Sequence, residues 1–407
     1  MSTKCPLLKT ASIFDVDSNL SKLFRFNQFA EDIEFLKSPI WDDTIKCGKR
    51  LEDMDITRLR YYLGKIHDFE PSKQIVGEAC FIISQSNRYH PVKNYIESVE
   101  WDGVLRLEEW LIKSCKCNDD RYIRDVSYKF MIASVARVYN PGCKFDHMII
   151  LEGSQGIGKS TLVEIIAGDW YLDTNFGQRD KDLIDSLSGA MIVEISELSG
   201  FNKKDVDFLK SFLSRKTDRI RLPYAQRNQD FKRKCVFIGT YNPSGNNMYL
   251  RDDTGNRRFW PVECPGKIDF EWLLLNRSQL WAEALVQYNN HEHILYIDNP
   301  ESKIILDNLH SERELESPTQ KTISNYLKGK IEISMSDLIQ DCLKIRMEGK
   351  SPKDLLSIST TIGIIMRKLL WTKGMNEHRD MYYAPGNFGI EKYVSEIKID
   401  DENNGWA

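Results

Sequence analysis

Gly153-Ser154-Gln155-Gly156-Ile157-Gly158-Lys159-Ser160 has the spacing G-x-x-x-x-G-K-[ST], and no other segment of the chain indicates a fold as specifically. An apolar run that predicts a buried strand, His147–Leu151, precedes it, and Thr161–Ala167 predicts a helix after it. Glycines let successive N–H groups turn inward around phosphate oxygens, and the positive amino end of a helix favours the same oxygens. We therefore predict that Gly153–Thr161 binds ATP, with Lys159 at the β and γ phosphates and the Ser160 hydroxyl on Mg²⁺.

Acids at the end of a second apolar run supply the other groups that phosphoryl transfer needs. Met191–Ile195 predicts a buried strand, and Glu194 and Glu197 lie at its end. One acid is expected to help Ser160 hold Mg²⁺, and the other to polarise the attacking water. Spacing alone leaves the two roles open; we favour Glu194 for Mg²⁺ and Glu197, just past the apolar run, as the base. The alternative is that one of them is only a solvated acid at a strand end.

A third apolar run, Val236–Gly239, is followed by Asn242, whose amide can hydrogen-bond a γ-phosphate or the attacking water. Before a proline, an asparagine also commonly starts a turn, which is the alternative. Arg257 and Arg258 come after this run, between a turn and aromatic residues. An arginine that neutralises transition-state charge often comes from a neighbouring subunit, so we predict that role for at least one of them. The alternative is a surface pair that forms local salt bridges.

A hairpin with a basic tip is predicted between Arg219 and Lys234. Basic and aromatic side chains on a projecting loop suit contacts with the phosphates and bases of single-stranded DNA, although a charged hairpin is more often a solvated face. The candidate DNA-binding residues are Arg219, Arg221, Tyr224, Arg227 and Lys232. Residues 202–234 hold eleven Lys/Arg against four Asp, in a chain of net charge −4. This distribution favours a local anion-binding surface over a protein that coats nucleic acid through its bulk charge.

Strands that alternate with helices predict an α/β fold, a P-loop NTPase core whose mostly parallel sheet is covered on both faces. At 407 residues the chain has room for two or three domains. In chain order we expect a mainly helical assembly region with a hairpin in Leu23–Trp41, an ATPase domain, a polar linker, a winged-helix-like domain and an acidic tail. Their expected boundaries are 1–100, 101–297, 298–318, 319–386 and 387–407.

The nine cysteines form no paired CxxC framework. Cys115-Lys116-Cys117 is too tight a spacing for a zinc half-site, so we expect the reduced thiols of a cytosolic protein. The sequence shows no signal-peptide pattern and no apolar run of membrane-spanning length. We therefore expect a cytoplasmic protein without a membrane partner.

These motifs, in this order and spacing, resemble the superfamily 3 helicases, a ring-forming AAA+ group from viruses and plasmids. The closer resemblance is to the virulence-associated protein E family of phages and pathogenicity islands, over roughly residues 89–290. The stretches that carry it are Tyr89–Val92, Trp101-Asp102-Gly103, Ala136–Tyr139, Pro141–His147, Glu152–Thr161, Val193–Leu198, Phe212–Arg215, Val236–Asn242, Arg251–Pro261 and Gln279–Ala284.

The resemblance implies an AAA+ core and a homo-hexamer that holds ATP between subunits and single-stranded DNA in its channel, in the cytosol of a bacterial host. By the same resemblance, Arg219–Lys234 is similar to a pore loop, and Arg257 and Arg258 fall in the trans-acting arginine region. A primase or another replication protein is a candidate further partner. The acid strand departs from the pattern usual for AAA+ proteins, because Glu194 and Glu197 are not adjacent, and this keeps their roles open.

The leading hypothesis is an ATP-dependent replicative DNA helicase of a phage or mobile genetic element, acting on single-stranded or forked DNA. Two alternatives stay open. One is an ATP-switched, DNA-binding replication initiator with little processive unwinding. The other is an NTPase that remodels a protein partner.

Overall fold

The structure is a computed structural model, and it separates into two compact units, Met1–Glu314 and Leu315–Ala407. It describes residues 5–385 except 175–179, 197, 199–202, 221–228, 244–255, 291–292, 314–317, 348, 350 and 376–380. The predicted acidic tail, 387–407, lies outside the described residues. Among the helices within this described part of the chain, none is long and apolar enough to cross a membrane.

The amino-terminal part of the first unit packs helices against a small sheet. Strands β1 (Phe24–Asn27) and β2 (Asp32–Phe35) form the hairpin predicted in this region, and β3 (Arg88–Tyr89) pairs with β1 in parallel. The helices are α1 (Pro6–Val16), α2 (Asp53–His67), α3 (Lys73–Ser84) and α4 (Pro91–Glu97). Side chains from α1, α2, α3 and the first two strands bury one another in a separate hydrophobic core. The region predicted as mainly helical therefore also contains strands, and its role in assembly stays a prediction.

A five-stranded parallel sheet forms the centre of the first unit. In spatial order its strands are β10 (Phe259–Glu263), β4 (Met148–Glu152), β9 (Val236–Tyr241), β6 (Ile192–Ile195) and β5 (Tyr171–Thr174). The helices of this part are α5 (Trp110–Cys115), α6 (Arg121–Tyr139), α7 (Lys159–Ala167), α8 (Asp180–Ser186), α9 (Lys203–Leu213) and α10 (Phe270–Asn290). The predicted mixed α/β architecture with a parallel sheet is confirmed.

Alternate residues of the central strands supply the two faces of this sheet. In β4, Ile149 and Leu151 belong to a core shared with α6, α7 and α10, whereas Met148 and Ile150 belong to a core shared with α8 and α9. A strand that is covered on both faces needs apolar side chains at nearly every position. Strands β4, β6 and β9 are buried along their whole length, which explains why contiguous apolar runs predicted them.

Helix α11 (Pro300–Arg313) occupies most of the segment that was predicted as a linker, 298–318. Leu306 on this helix joins the core shared with α6, and Arg313 forms a buried ion pair with Glu152 at the end of β4. The linker prediction is therefore wrong for these residues. Its physical reason is that the polar residues cover the exposed face of a packed helix, and Pro300 begins the helix instead of breaking it.

The predicted basic hairpin is present between α9 and β9. Strands β7 (Thr217–Ile220) and β8 (Gln229–Lys232) pair antiparallel, with Thr217 opposite Lys232. The connection between them, 221–228, lies outside the described residues. Only three residues separate the end of β8 from the start of β9, so the base of the hairpin lies at the amino end of β9.

The second unit has its own sheet and core. Its elements are α12 (Pro318–Leu327), β11 (Ile333–Ser334), α13 (Met335–Asp337) with a following π-helical turn (Leu338–Cys342), α14 (Pro352–Lys368), β12 (Trp371–Met375) and β13 (Met381–Pro385). The sheet order is β11-β13-β12, and Ile323, Leu338, Ile362 and Met366 pack in its core. Helices followed by a hairpin were expected here, whereas the winged-helix assignment stays a prediction.

Candidate functional site at the carboxyl edge of the sheet

The loop between β4 and α7 turns through glycines that cannot be replaced without strain or collision. Gly156 and Gly158 have φ angles of 82° and 101°, in the left-handed region that favours glycine. A Cβ atom on Gly158 would lie 2.2 Å from Cζ of Phe270, and one on Gly153 would lie 2.6 Å from the carbonyl oxygen of Cys264. The loop is therefore held tightly against the segment that joins β10 to α10.

Lys159 begins α7 and directs its ammonium group back over this loop. Its Nζ donates to the carbonyl oxygens of Gly153 (2.7 Å) and Ser154 (2.9 Å) and to Oδ1 of Asn242 (2.8 Å). Because Asn242 directly follows β9, the ends of two neighbouring strands meet at the lysine. Burial lowers the pKa of Lys159, and the nearby acidic groups oppose that change. The side chain is thus a largely buried cation placed among hydrogen-bonding groups.

Glu194 in β6 has no exposed surface, and three hydroxyl groups donate to its carboxylate. Ser160 Oγ lies 2.6 Å and Thr240 Oγ1 2.9 Å from Oε1, while Tyr171 Oη lies 2.5 Å from Oε2. An ionised carboxylate is unfavourable in the interior unless such donors satisfy it. Burial, together with the hydrogen bond to Glu194, raises the pKa of Tyr171 and keeps its phenol protonated as a donor.

The geometry of this edge suits two ligand chemistries at once. The carboxyl ends of β4, β6 and β9 lie side by side because the strands are parallel neighbours. Lys159 and the amino end of α7 can hold an anion. The adjacent Ser160 hydroxyl and Glu194 carboxylate are oxygen ligands of the kind that Mg²⁺ prefers. The structure therefore brings together Gly153–Thr161, Glu194 and Asn242 as predicted from the sequence.

Glu197, the second acid of the predicted pair, lies outside the described residues, and its role as a base stays a prediction. At the same edge, Ser196 Oγ donates to Oδ1 of Asp173 at 3.0 Å. Asp173 is opposite Glu194 in the register of β5 and β6. A second, exposed carboxylate therefore also lies at this edge of the sheet.

Arg257 and Arg258 lie at the amino ends of the sheet strands, whereas the loop lies at their carboxyl ends. They immediately precede Phe259, which pairs with Met148 at the start of β4. With a rise of about 3.3 Å per residue, the length of β10 separates the two edges by about 13 Å. Arg258 Nε donates to Oγ of Ser214 (3.0 Å), whereas Arg257 is exposed. Neither arginine is therefore placed to act at the loop of its own chain.

Part of the basic segment before β9 is used inside the protein. Arg233 forms a buried bidentate ion pair with Asp218, with N–O distances of 2.6 to 3.0 Å. Lys234 Nζ lies 2.5 Å from Oε1 of Glu31. The excess of Lys and Arg counted from the sequence therefore overstates the charge available to an external anion.

The described strands of the hairpin keep exposed cations among the predicted DNA-binding residues. Arg219 is exposed and forms an ion pair with Asp230 across the hairpin at 3.0 Å, and Lys232 is also exposed. The other three candidates, Arg221, Tyr224 and Arg227, lie outside the described residues. The described stem of the hairpin thus carries two exposed cations, one of them paired with an exposed aspartate, and their contact with DNA stays a prediction.

The sequence profile of the virulence-associated protein E-like domain matches residues 96–315, which is more than half of the chain. The chain belongs to this family. The match confirms the family that the motifs predicted. The virulence-associated protein E-like domain extends from the end of α4 to the end of α11, and it contains the loop, both edges of the sheet and the basic hairpin.

Two solved structures of the C-terminal region of NrS-1, in its apo A form, align with 89% of this virulence-associated protein E-like chain and 96% of their own length. Their sequence identities are 14% and 12%, and their TM-scores are 0.46 and 0.41. Scores this low support no argument about function. A search of the curated proteins returned no match.

Three residues of the virulence-associated protein E-like domain contribute to the site but were not predicted from the sequence: Tyr171, Thr240 and Arg313. Thr240 could have been found, because it lies two residues before Asn242 and side chains at that spacing share one face of a strand. Arg313 donates to Glu152, the residue that precedes the loop, at 2.7 and 2.8 Å across 161 residues of sequence. No local pattern signals a contact over that separation.

Proposed function

We propose that this chain is an ATP-dependent replicative DNA helicase of a phage or mobile genetic element, with an AAA+ core of the superfamily 3 type that works as a ring. The observation that carries the proposal is the meeting of Lys159, Ser160, Glu194 and Asn242 at one edge of the sheet. These are the groups that a nucleoside triphosphate and its metal ion require. Membership of the virulence-associated protein E-like family supports the same conclusion.

The residues at this edge fit ATP with Mg²⁺. The glycine turn leaves room for phosphate oxygens near the backbone, and the nine-residue helix α7 directs its amino end toward them. Bound Mg²⁺ would supply charge neutralisation at the phosphate oxygens. Ser160 and Glu194 would hold the ion, and Lys159 would neutralise the β and γ phosphates. Asn242 would orient the terminal phosphate or the attacking water, and Glu197 remains the candidate base.

The path of the chain supports coupling between this site and DNA. Strand β6 carries Glu194 and leads through α9 into the hairpin, which leads into β9 and Asn242. Arg233 at the base of the hairpin donates from Nη1 to the carbonyl oxygen of Phe212 in α9 at 2.7 Å. The hairpin is thus bound to the carboxyl end of α9 on one side and leads on the other into β9, whose far end carries Asn242 to the nucleotide site. We expect ATP turnover to move the hairpin and, with it, single-stranded DNA.

The position of Arg257 supports a ring with sites between subunits. Since Arg257 lies at the edge opposite its own loop, it would reach a triphosphate held by a neighbouring copy. Arg258 is held by Ser214 within its own chain, so Arg257 is the better candidate of the two. A contact of this head-to-tail kind generates rings, and a hexamer is the assembly we propose.

ATP hydrolysis with Mg²⁺, measured with and without single-stranded DNA, tests the first half of the proposal. Lys159→Ala should lower kcat at least about a hundredfold, because it removes the main charge on the transferred phosphoryl group. Lys113→Ala, which changes an exposed lysine on α5, is the matched control and should leave kcat unchanged. Well-folded wild-type protein that neither binds nor hydrolyses ATP would overturn the proposal.

A strand-displacement assay on forked DNA tests the second half. The wild-type protein should separate the strands only with ATP. The double variant Arg219→Ala, Lys232→Ala should lose most displacement and most stimulation of ATPase activity by DNA, while its basal ATPase activity persists. DNA-stimulated ATPase activity without displacement would instead indicate the ATP-switched initiator. ATPase activity that is indifferent to DNA would indicate a protein remodeller.

A further inference from the structure

Three cysteines from distant parts of the sequence meet beside the phosphate-binding loop. Cys115 ends α5, Cys117 follows two residues later, and Cys264 comes directly after β10. Their Sγ atoms all lie within 4.8 Å of one another, and the three side chains are buried. Cys264 is also the residue whose carbonyl oxygen packs against Gly153. The cluster is therefore in direct contact with the loop but is not part of the nucleotide site.

The local backbone explains how two cysteines at so short a spacing can face the same point. Lys116 between them has a φ of 59°, in the left-handed region, and it closes α5 with an N–H bond to the carbonyl of Ile112. The chain turns sharply there, so both flanking thiols face the end of β10. Cys115 and Cys117 alone are too closely spaced for a zinc half-site, but the third cysteine of the cluster, Cys264, lies 147 positions beyond Cys117 and is invisible to local spacing.

The three positions are fixed by hydrogen bonds of the surrounding backbone. The N–H of Cys264 donates to the carbonyl of Glu152 at 2.7 Å, and the N–H of Asp269 donates to that of Ser114 at 2.8 Å. Lys116 Nζ lies 2.9 Å from Oδ2 of Asp269, which ties the same two segments together again. Ligands held in advance by rigid neighbours lose little conformational freedom when an ion binds.

The chemistry of the cluster differs from that of the isolated buried cysteines. Burial raises the pKa of Cys235 and Cys342, as expected for thiols that act as small hydrophobic residues. Cys115, Cys117 and Cys264 instead form hydrogen bonds with one another. The thiolate is the form of cysteine that binds metals. The three sulfur atoms, which converge on one buried point, would as thiolates coordinate a single ion together.

We propose that Cys115, Cys117 and Cys264 bind one thiophilic divalent cation, with Zn²⁺ as the ion that fits best. Soft thiolate ligands favour Zn²⁺ over the Mg²⁺ expected at the nucleotide site. The ion would join the end of α5 to the segment after β10, and through Cys264 it would fix the first residue of the loop. The three thiolates would supply three of the four ligands of a tetrahedral Zn²⁺ and leave the fourth position to another ligand. The proposal does not depend on the proposed helicase activity.

Metal analysis of the purified full-length chain tests this site. Elemental analysis after growth with zinc should find one equivalent of Zn²⁺, and Co²⁺ substituted for it should give a sulfur-to-cobalt charge-transfer band. Cys115→Ser, Cys117→Ser and Cys264→Ser should each weaken Zn²⁺ binding at least about tenfold. Cys235→Ser removes a buried thiol outside the cluster and should keep the full equivalent.

A measurement on the wild-type protein covers the case in which the variants do not fold. Chelation of the ion should lower Tm, and Zn²⁺ should restore it, because an ion that binds only the folded state stabilises it. Absence of Zn²⁺ and Co²⁺ binding, with all nine thiols free on denaturation, would overturn the proposal. A count of seven free thiols in metal-free protein, which would mean that two cysteines form a disulfide, would also overturn it. So would Cys→Ser variants that bind the ion as tightly as the wild type does.

Discussion

At the scale of single residues, the buried carboxylate of Glu194 depends on donors that come from three different elements. Ser160 comes from α7, Thr240 from β9 and Tyr171 from β5. Each hydroxyl offsets part of the unfavourable burial of the charge, and together they fix the direction of both oxygens. Groups that orient a metal ligand in this way commonly affect the affinity for the ion almost as much as the ligand itself does.

Removal of one donor should therefore weaken the site without unfolding the protein. We expect Tyr171→Phe to lower Mg²⁺ affinity in ATPase assays about 10- to 100-fold, because the carboxylate loses a hydrogen bond and its orientation. Tyr139→Phe is the matched control, since its hydroxyl bonds the exposed Glu97 at 2.6 Å. Titration of Mg²⁺ at saturating ATP measures the effect, and equal behaviour of the two variants would contradict it.

His147 provides a second prediction, which concerns pH. It is buried against Trp260, with ring centroids 4.6 Å apart, and burial lowers its pKa to about 4 from a usual value of 6.5. The unfolded chain therefore takes up the proton first, so this stabilising contribution is complete above pH 6.5 and is lost as the pH falls toward 4. Between pH 7 and pH 5 we expect it to remove about 2 kcal/mol from the free energy of unfolding.

Urea unfolding at the two pH values, for the wild type and for His147→Gln, isolates this contribution. The variant has no titrating ring, so its loss of stability between pH 7 and pH 5 should be smaller than that of the wild type by about 2 kcal/mol. Identical losses in the two proteins would show that His147 does not titrate as described.

The residues that sequence alone could predict are those whose role follows from neighbours in the chain. Lys159 and Ser160 are placed by a short loop of fixed spacing, and Asn242 by the end of an apolar strand. Tyr171, Arg313 and Cys264 reach the same region from remote elements. Their contribution depends on how helices and strands pack, which local spacing does not encode.

At the scale of elements, the ion pair of Arg313 with Glu152 fixes the end of α11 to the residue that precedes the phosphate-binding loop. Both side chains are at most 5% exposed, so neither charge has water as an alternative partner. Removal of one member of a buried pair leaves the other uncompensated, which typically costs about 3 to 5 kcal/mol.

Arg313→Met should accordingly lower the free energy of unfolding of the first unit by about 3 to 5 kcal/mol. Adding Glu152→Gln should recover part of that loss, because the remaining polar group no longer carries a charge. Lys73→Met removes an exposed pair with Asp53 and should cost less than about 1 kcal/mol. Urea unfolding monitored by tryptophan fluorescence distinguishes these cases, and a small effect of Arg313→Met would contradict the buried pair.

The strands show why element prediction was incomplete. Contiguous apolar residues predicted β4, β6 and β9, which lie in the interior of the sheet. Strands β5 and β10 lie at its two edges: β5 has a mixed sequence, and β10, although largely apolar, contains Pro261. An edge strand needs fewer ladder donors and fewer apolar side chains, so proline is tolerated there and the sequence pattern weakens.

At the scale of the whole molecule, the placement of Arg257 predicts complementation between defective copies. Lys159→Ala and Arg257→Ala proteins should each be inactive as ATPases. When the two are mixed in equal amounts, an interface is intact only if an Arg257→Ala copy supplies the loop and a Lys159→Ala copy supplies the arginine. Random assembly gives this combination in roughly a quarter of the interfaces. ATPase activity of the mixture measures this, and a mixture as inactive as its components would exclude action between subunits.

In the proposed ring, Arg257 at the amino ends of the sheet strands of one copy faces the loop at the carboxyl ends of the strands of the next, so every copy has two different contact ends. In an open row of copies joined in this way, the first copy has a loop without a neighbour's arginine, or an arginine without a neighbour's loop. The last copy has the complementary unpaired end. Only a closed ring pairs every loop with an arginine of a neighbouring copy. On dilution, ATP turnover per chain should therefore fall more steeply than nucleotide binding does. Rings then open into rows of copies, and each row has one site that lacks its arginine.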